Sequence, residues 1–312
     1  MKKLILLGLG VSGVSLTIGN FFMNFAIRRY SEKRVRKNRA KEKRQGGYYG
    51  IHQPYVDESV DWLHKKTSEI WKIRSEDGLS LQAYFLENKD AKGVFLVAHG
   101  HRCQDHSDTA CQARFFYNLG YHVLAIDQRC HGNSQGTYIG MGVLERKDCL
   151  LWIEKLDRYF KGQLPIYLFG VSMGASTVLM TSGLNLPASV AGVIADCGYT
   201  SPWKIFSYVS KLWFKLPAFP ILYLADYWAR YLAHYSYKEV DIPKEMEKNK
   251  LPVLFIHGGA DDFVPTSMGL ENYQACKSRK HIVIIDGALH AKAYVEGREI
   301  YEKAVIDFLS EI

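Results

Sequence analysis

From about residue 67 onward the chain alternates two apolar patterns. Short continuous runs rich in Val, Ile, Leu and Phe recur at Gly93–Ala98, His122–Asp127, Pro165–Gly170, Val190–Asp196, Pro252–His257 and His281–Asp286. Runs of that length without polar alternation are expected of strands buried on both faces of a parallel sheet. Between them, residues 108–119, 141–160, 172–182, 266–277 and 291–309 carry apolar positions at helical spacing. Ahead of them, Ile70–Arg74 and Leu79–Leu86 flank the turn Glu76-Asp77-Gly78 and predict an antiparallel hairpin. The succession implies an α/β fold, with a mostly parallel eight-stranded sheet covered by helices. Such sheets bind ligands beyond the carboxyl ends of their strands, so the loops after the strands should hold the chemistry.

One apolar run breaks this pattern. Leu4–Ile27 spans 24 residues without a charged side chain. At 1.5 Å per residue a helix of that length crosses a hydrocarbon core of about 30 Å, so a transmembrane anchor is expected. Lys2 and Lys3 would also suit a cleaved secretory signal, but no small-x-small site follows the run. Ten basic residues lie between Arg28 and Arg44, against two lysines and the terminal amine before the run. The positive-inside bias then places the remainder of the chain in the cytoplasm. The expected organisation is an anchor and basic juxtamembrane segment at 1–46, followed by a catalytic domain at 47–312 tethered to the cell membrane. The basic run would also be drawn to anionic head groups. Gly8, Gly10 and Gly13 lack the regular spacing of a helix-pairing motif.

The net charge of +8 and pI near 9.0 would by themselves suggest a nucleic-acid partner. The distribution removes that suggestion. Residues 1–46 hold 12 of the 40 Lys and Arg but 2 of the 32 acidic residues, leaving 28 basic and 30 acidic side chains, a net −2, in the rest. A composition of 47% hydrophobic and 23% charged residues is that of an ordinary globular protein, and the body is long enough for one large domain. The six cysteines show neither CxxC nor paired spacing, so reduced thiols are expected rather than a disulfide or zinc framework. His99, His101 and His106 cluster without metal-ligand spacing and are expected to fix loops. No glycine loop of the phosphate-cradling kind is present, and no metal or cofactor is expected.

The strand Pro165–Phe169 runs into Gly170-Val171-Ser172-Met173-Gly174 and then into a helical pattern. Gly-x-Ser-x-Gly between a strand and a helix is the nucleophile elbow, a tight turn that lifts the serine clear of the sheet at a helix amino terminus. A serine hydroxyl needs a base, and the base needs an orienting group. Later strand ends supply both: Asp261 and Asp262 follow Leu254–His257, and His290 follows His281–Asp286.

With the chain order Ser, Asp, His, residues 67 to 312 resemble the α/β-hydrolase-fold serine hydrolases. Further matching motifs are His99-Gly100, Asp127-x-Arg129-x-His131-Gly132-x-Ser134, His257-Gly-x-x-Asp261-x-x-Val264-Pro265 and Gly287-x-x-His290. Cys130 departs from the more common glycine of the second motif. The resemblance extends to bacterial membrane-anchored hydrolases related to esterases and to dipeptidyl or acylaminoacyl peptidases. It implies Ser172 as nucleophile, His290 as general base and then acid, and Asp261 as orienting acid, with Asp262 as the alternative. It also implies an oxyanion hole made by the backbone N–H groups of Met173 and His101, and a bracing role for Asp127 and His131.

The function so implied is hydrolysis of a carboxylic ester through an acyl-enzyme. A short peptide substrate or a non-catalytic lipid- or partner-binding scaffold is the alternative. Thirteen of the 41 aromatic residues fall between Tyr199 and Tyr237. A helical cap at about 199–247 is expected there, with Trp213 and Trp228 either lining an apolar pocket or serving as ordinary packing.

Overall fold

The computed structural model describes residues 17–103 and 105–312, apart from the side chains of residues 39, 42 and 43. Eight strands form one sheet in the order β1-β2-β4-β3-β5-β6-β7-β8. They are β1 (Glu69–Arg74), β2 (Ser80–Leu86), β3 (Val94–Ala98), β4 (His122–Ile126), β5 (Ile166–Val171), β6 (Val190–Asp196), β7 (Val253–Gly258) and β8 (Lys280–Ile285). The hairpin β1/β2 is antiparallel, β2 also runs antiparallel to β4, and the remaining pairs are parallel. Along β3, Val94, Leu96 and Ala98 enter one apolar cluster while Phe95 and Val97 enter another on the opposite face. Burial on both faces is why these strands read as unbroken apolar runs.

Helices cover the sheet: α3 (Gln53–Lys66), α4 (Ala110–Asn118), α5 (Glu145–Tyr159), α6 (Met173–Ser182), α9 (Ile242–Lys248), α10 (Thr266–Ala275), α11 (Ala293–Glu296) and α12 (Arg298–Ser310). Two of them depart from the apolar spacing by more than a residue or two at an end. The helix expected from Met141 starts at Glu145, because Met141 and Gly142 take positive φ angles of 50° and 83°. The pattern at 291–309 divides at Gly297 into α11 and α12. Between β6 and α9 rises the expected cap, α7 (Pro202–Phe214) and α8 (Ile221–Ala233).

The amino-terminal region differs from its expectation. Residues 17–27 form a helix, α1, followed by the basic helix α2 (Glu32–Arg44). Residues 4–16 of the expected span lie outside the described residues, among which no helix is long and apolar enough to cross a membrane. Met23 and Ile27, four apart on one helical face, are fully buried in the same core as Trp71, Leu81 and Ile139. Each such side chain contributes about 1.5–3 kcal/mol on burial. The chain then joins the domain backbone, with the amide of Ile139 donating to the carbonyl of Ile27 at 2.7 Å and that of Arg29 to the carbonyl of Thr137 at 2.9 Å. Gly19 lets α1 cross α8 closely, since a Cβ there would lie 2.4 Å from Leu224 Cβ and 2.8 Å from its backbone carbon. Residues 17–29, which the expected division at residue 46 sets apart, pack against the domain. Apolar surface is buried as readily by protein as by lipid, and hydropathy alone does not separate the two.

Candidate active site

Ser172 stands at the turn from β5 into α6 with φ 56° and ψ −115°. Two glycines make this turn possible. A Cβ at Gly170 would fall 2.2 Å from the backbone carbon of Gly174, and a Cβ at Gly174 would fall 2.0 Å from the carbonyl oxygen of Ala98. The turn is thus pressed against both α6 and β3, and the strain at Ser172 is held by packing on two sides.

The loops after β7 and β8 bring the other two residues to it. His290 Nε2 lies 2.9 Å from Ser172 Oγ, and His290 Nδ1 lies 2.7 Å from Asp261 Oδ2. The other carboxylate oxygen of Asp261 accepts from the amides of Phe263 at 3.0 Å and Val264 at 2.8 Å. Burial alone would raise the pKa of this carboxyl, but hydrogen bonds with His257 and His290 outweigh it and hold it at about 2. Asp262 is exposed, and its contact is a backbone carbonyl that accepts from Tyr208. Of the two acids that the spacing offered, Asp261 is the one that meets His290.

The loop after β3 passes beside the serine, where a Cβ at Gly100 would lie 3.4 Å from Ser172 Cβ. Both sides of this loop are fixed. The amide of Arg102 donates to His131 Nε2 at 2.8 Å, and the amide of Gly100 donates to Asp108 at 2.7 Å. On the other side, His101 Nε2 donates to the carbonyl of Ala26 at 3.0 Å, and Arg102 donates to the carbonyl of Phe25. Burial, reinforced by the neighbouring Arg102 charge, lowers the pKa of His101 to about 3, so the ring is neutral. Met173 is the first residue of α6, where an amide has no partner within the helix.

His99, His106 and His131 are each engaged in hydrogen bonds within these loops. Asp127, bound to His106 at 3.0 Å and to the amide of Asn133 at 2.8 Å, holds the loop after β4. Arg129 makes a paired contact with Asp148, at 2.6 and 2.8 Å, and reaches Asp77. The Sγ of buried Cys197 lies within 4.8 Å of ligand-type atoms of Asp261 and His290, and burial pushes its thiol well above the usual range. As a neutral thiol it packs behind the pair.

A cavity of about 140 Å³ opens above Ser172. Its walls include Ile205, Phe206, Val209 and Trp213 of α7 and Ile221, Leu222 and Ala225 of α8. Trp213 lines it, sits 5.4 Å from the Phe263 ring, and Phe263 in turn lies 5.0 Å from the His290 ring. Trp228 faces away and packs on Tyr227 and Tyr231. The two tryptophans thus divide between the readings that the sequence left open.

Several lining residues went unnoticed in the sequence. Phe22, Phe25 and Ala26 of α1 complete the wall, and their apolar character had assigned them to the bilayer. Met141 enters through a loop whose amides at Gly140 and Gly142 donate to Glu145 at 2.7 and 2.8 Å. Tyr48 donates its hydroxyl to the carbonyl of His290 at 2.7 Å. A Gly-x-Gly followed by a glutamate was the available signal for the Met141 loop; nothing local marked Tyr48.

Residues 89–238 match the sequence model of the family described as serine aminopeptidase, S33. The chain is 27% identical to the uncharacterised protein YqkD of Bacillus subtilis (strain 168), across 100% of this chain and 98% of that one. Its fold is similar to that of the Pyrococcus furiosus esterase Pf2001, with a TM-score of 0.64 and 21% identity over 78% of this chain and 90% of the esterase. The Pyrococcus horikoshii acylaminoacyl peptidase is also similar, with a TM-score of 0.58 and 18% identity, covering 80% of this chain and 43% of that one. Sheet order, elbow and these likenesses agree: the chain has the α/β-hydrolase fold.

Proposed function

We propose that this hydrolase cleaves a carboxylic ester through an acyl-enzyme, with Ser172, His290 and Asp261 as its triad. The observation that carries the reading is the unbroken hydrogen-bond chain from Ser172 through His290 to Asp261 at the floor of an apolar cavity. Ser172 Oγ attacks the ester carbonyl while His290 Nε2 takes its proton, and the Asp261 carboxylate stabilises the imidazolium. The amides of Met173 and His101 hold the oxyanion. His290 then protonates the leaving alkoxide, and water, deprotonated by the same nitrogen, releases the carboxylic acid.

The name of the matching family and the acylaminoacyl peptidase likeness favour a peptide as the second reading. Recognition of a free peptide amine calls for a carboxylate in the pocket. Among the described residues lining the cavity there is no Asp or Glu, and the charged side chain there is Arg102. The lining therefore favours an apolar acyl or alkyl ester. The apolar run from Leu4 and its basic flank support attachment to the cell membrane with the catalytic domain on the cytoplasmic side. Protease added outside intact cells would then spare that domain.

A fluorophosphonate probe and a panel of esters and peptides test the reaction. Labelling lost in Ser172→Ala, with esters turned over faster than peptides, is expected. Labelling that persists in Ser172→Ala, or is absent from folded wild-type protein, overturns the proposal.

A further inference from the structure

The helix α1 buries Met23 and Ile27 in the core and turns other side chains to the cavity and to solvent. One face supplies Phe22, Phe25 and Ala26 to the cavity above Ser172, with Phe22 and Phe25 meeting Phe214 of α7 at 5.1 and 5.6 Å between ring centroids. At the edge of that face Phe21 stacks on Phe25 at 6.5 Å, and it and the neighbouring cap turn large apolar side chains to solvent: Phe21 is 61% exposed and Phe219 is 71% exposed, and Tyr227 and Tyr231 are exposed too. Aromatic side chains of this kind gather where a protein meets the head-group level of a bilayer. Immediately after α1, the helix α2 presents Lys33, Arg34, Arg36, Lys37, Lys41 and Arg44, all exposed. That charge complements an anionic surface.

Length carries the argument further. Met23 and Ile27 are buried in the domain, so the apolar residues of the run beyond α1 are 4–16, which is 13 residues. A hydrocarbon core of about 30 Å needs roughly 20. The run left over is apolar but shorter than a span, and it is joined to a helix docked on the cap.

We propose that the substrate is a lipid ester taken from an anionic bilayer, its apolar chain held between α1 and the cap helices. This rests on the hydrolase reading above and specifies its substrate class. The chain enters where α1 and α8 meet the interface, lies against Phe22, Phe25 and Phe214, and delivers its ester carbonyl to Ser172. The wall that selects the chain and the surface that finds the bilayer are then parts of the same helix.

The test uses the full-length protein with vesicles of phosphatidylcholine alone or mixed with phosphatidylglycerol, and p-nitrophenyl butyrate and laurate as probes. The laurate-to-butyrate rate ratio should rise about tenfold on the mixed vesicles, the effect of seating one further buried apolar group. Phe22→Ala combined with Phe25→Ala should lower that ratio. Phe21→Ser combined with Phe219→Ser should abolish the rise in ratio although the apolar run and basic helix still carry the protein to the vesicles, with butyrate hydrolysis in solution unchanged. A ratio indifferent to vesicles, or a rise that survives the Phe21 and Phe219 changes, overturns the lipid proposal. Fluorophosphonate labelling of Ser172 keeps the two levels apart: its loss in wild type sinks the hydrolase reading, whereas labelling with a flat ratio sinks the lipid substrate alone. If the cavity variant fails to label, the surface variant decides the outcome.

Discussion

The imidazole of His101 donates to the carbonyl of Ala26, a residue 75 positions earlier in the chain, at 3.0 Å. The bond ties the loop beside Ser172 to the carboxyl end of α1, while burial and the neighbouring Arg102 charge keep the ring neutral. With the folded pKa near 3 against an ordinary 6.5, the unfolded chain binds this proton more readily. The stabilisation is complete above about pH 6.5 and is lost as the pH falls toward 3, with a slope of up to about 1.4 kcal/mol per pH unit. Urea titrations between pH 7 and 4 should show this slope, and His101→Gln, which keeps an N–H donor but does not titrate, should flatten it. An unchanged slope in the variant would remove His101 as its source.

Gly19→Ala should weaken the docking of α1. The new methyl meets Leu224 at its backbone as well as its side chain, so rotamer change alone cannot make room. A loss of about 1–3 kcal/mol is expected from such overpacking. Thermal unfolding measures it, and a variant as stable as wild type would show that α1 shifts without cost.

The two candidate acids have opposite expectations. Asp261→Asn should lower kcat by about 10⁴-fold by upsetting the His290 tautomer, as in other triads. Asp262→Asn, which changes an exposed side chain, should stay within a few-fold of wild type. Equal effects from both would return the assignment to the open state in which the sequence left it.

Arg129→Ala should be strongly destabilising, by about 3–5 kcal/mol, because it leaves the Asp148 carboxylate buried without its paired contact. Arg129→Met, which fills the volume, should cost no less unless Asp148→Leu accompanies it. A double-mutant cycle gives the coupling directly.

Trp213→Ala should alter acyl-chain preference and Trp228→Ala should not, since Trp213 alone of the pair lines the cavity. A chain-length series of p-nitrophenyl esters reads this out.

The central strands were legible because burial on both faces leaves them almost wholly apolar, and the elbow because two glycines bracket a serine between strand and helix. Chain order offered Asp261 or Asp262 as the acid and His290 as the base. The wall at Phe22 and Phe25 was not legible: a helix that packs on protein and one that enters lipid share the same hydropathy, and a contact from Gly19 to Leu224 has no local signature. Tyr48 escaped for a related reason, since its hydroxyl serves a backbone carbonyl some 242 positions away.

The place of α1 bears on how the enzyme is handled at the bench. Trimming a membrane-associated protein back to its catalytic body is a common route to soluble material. A cut after Ile27, where hydropathy invites it, would strip two side chains from the core, unpin the loop beside Ser172 and open one side of the cavity. What survived such trimming would report the reactivity of the serine while having lost much of its selectivity, and substrate screens on it would favour small esters for reasons belonging to the cut rather than to the enzyme.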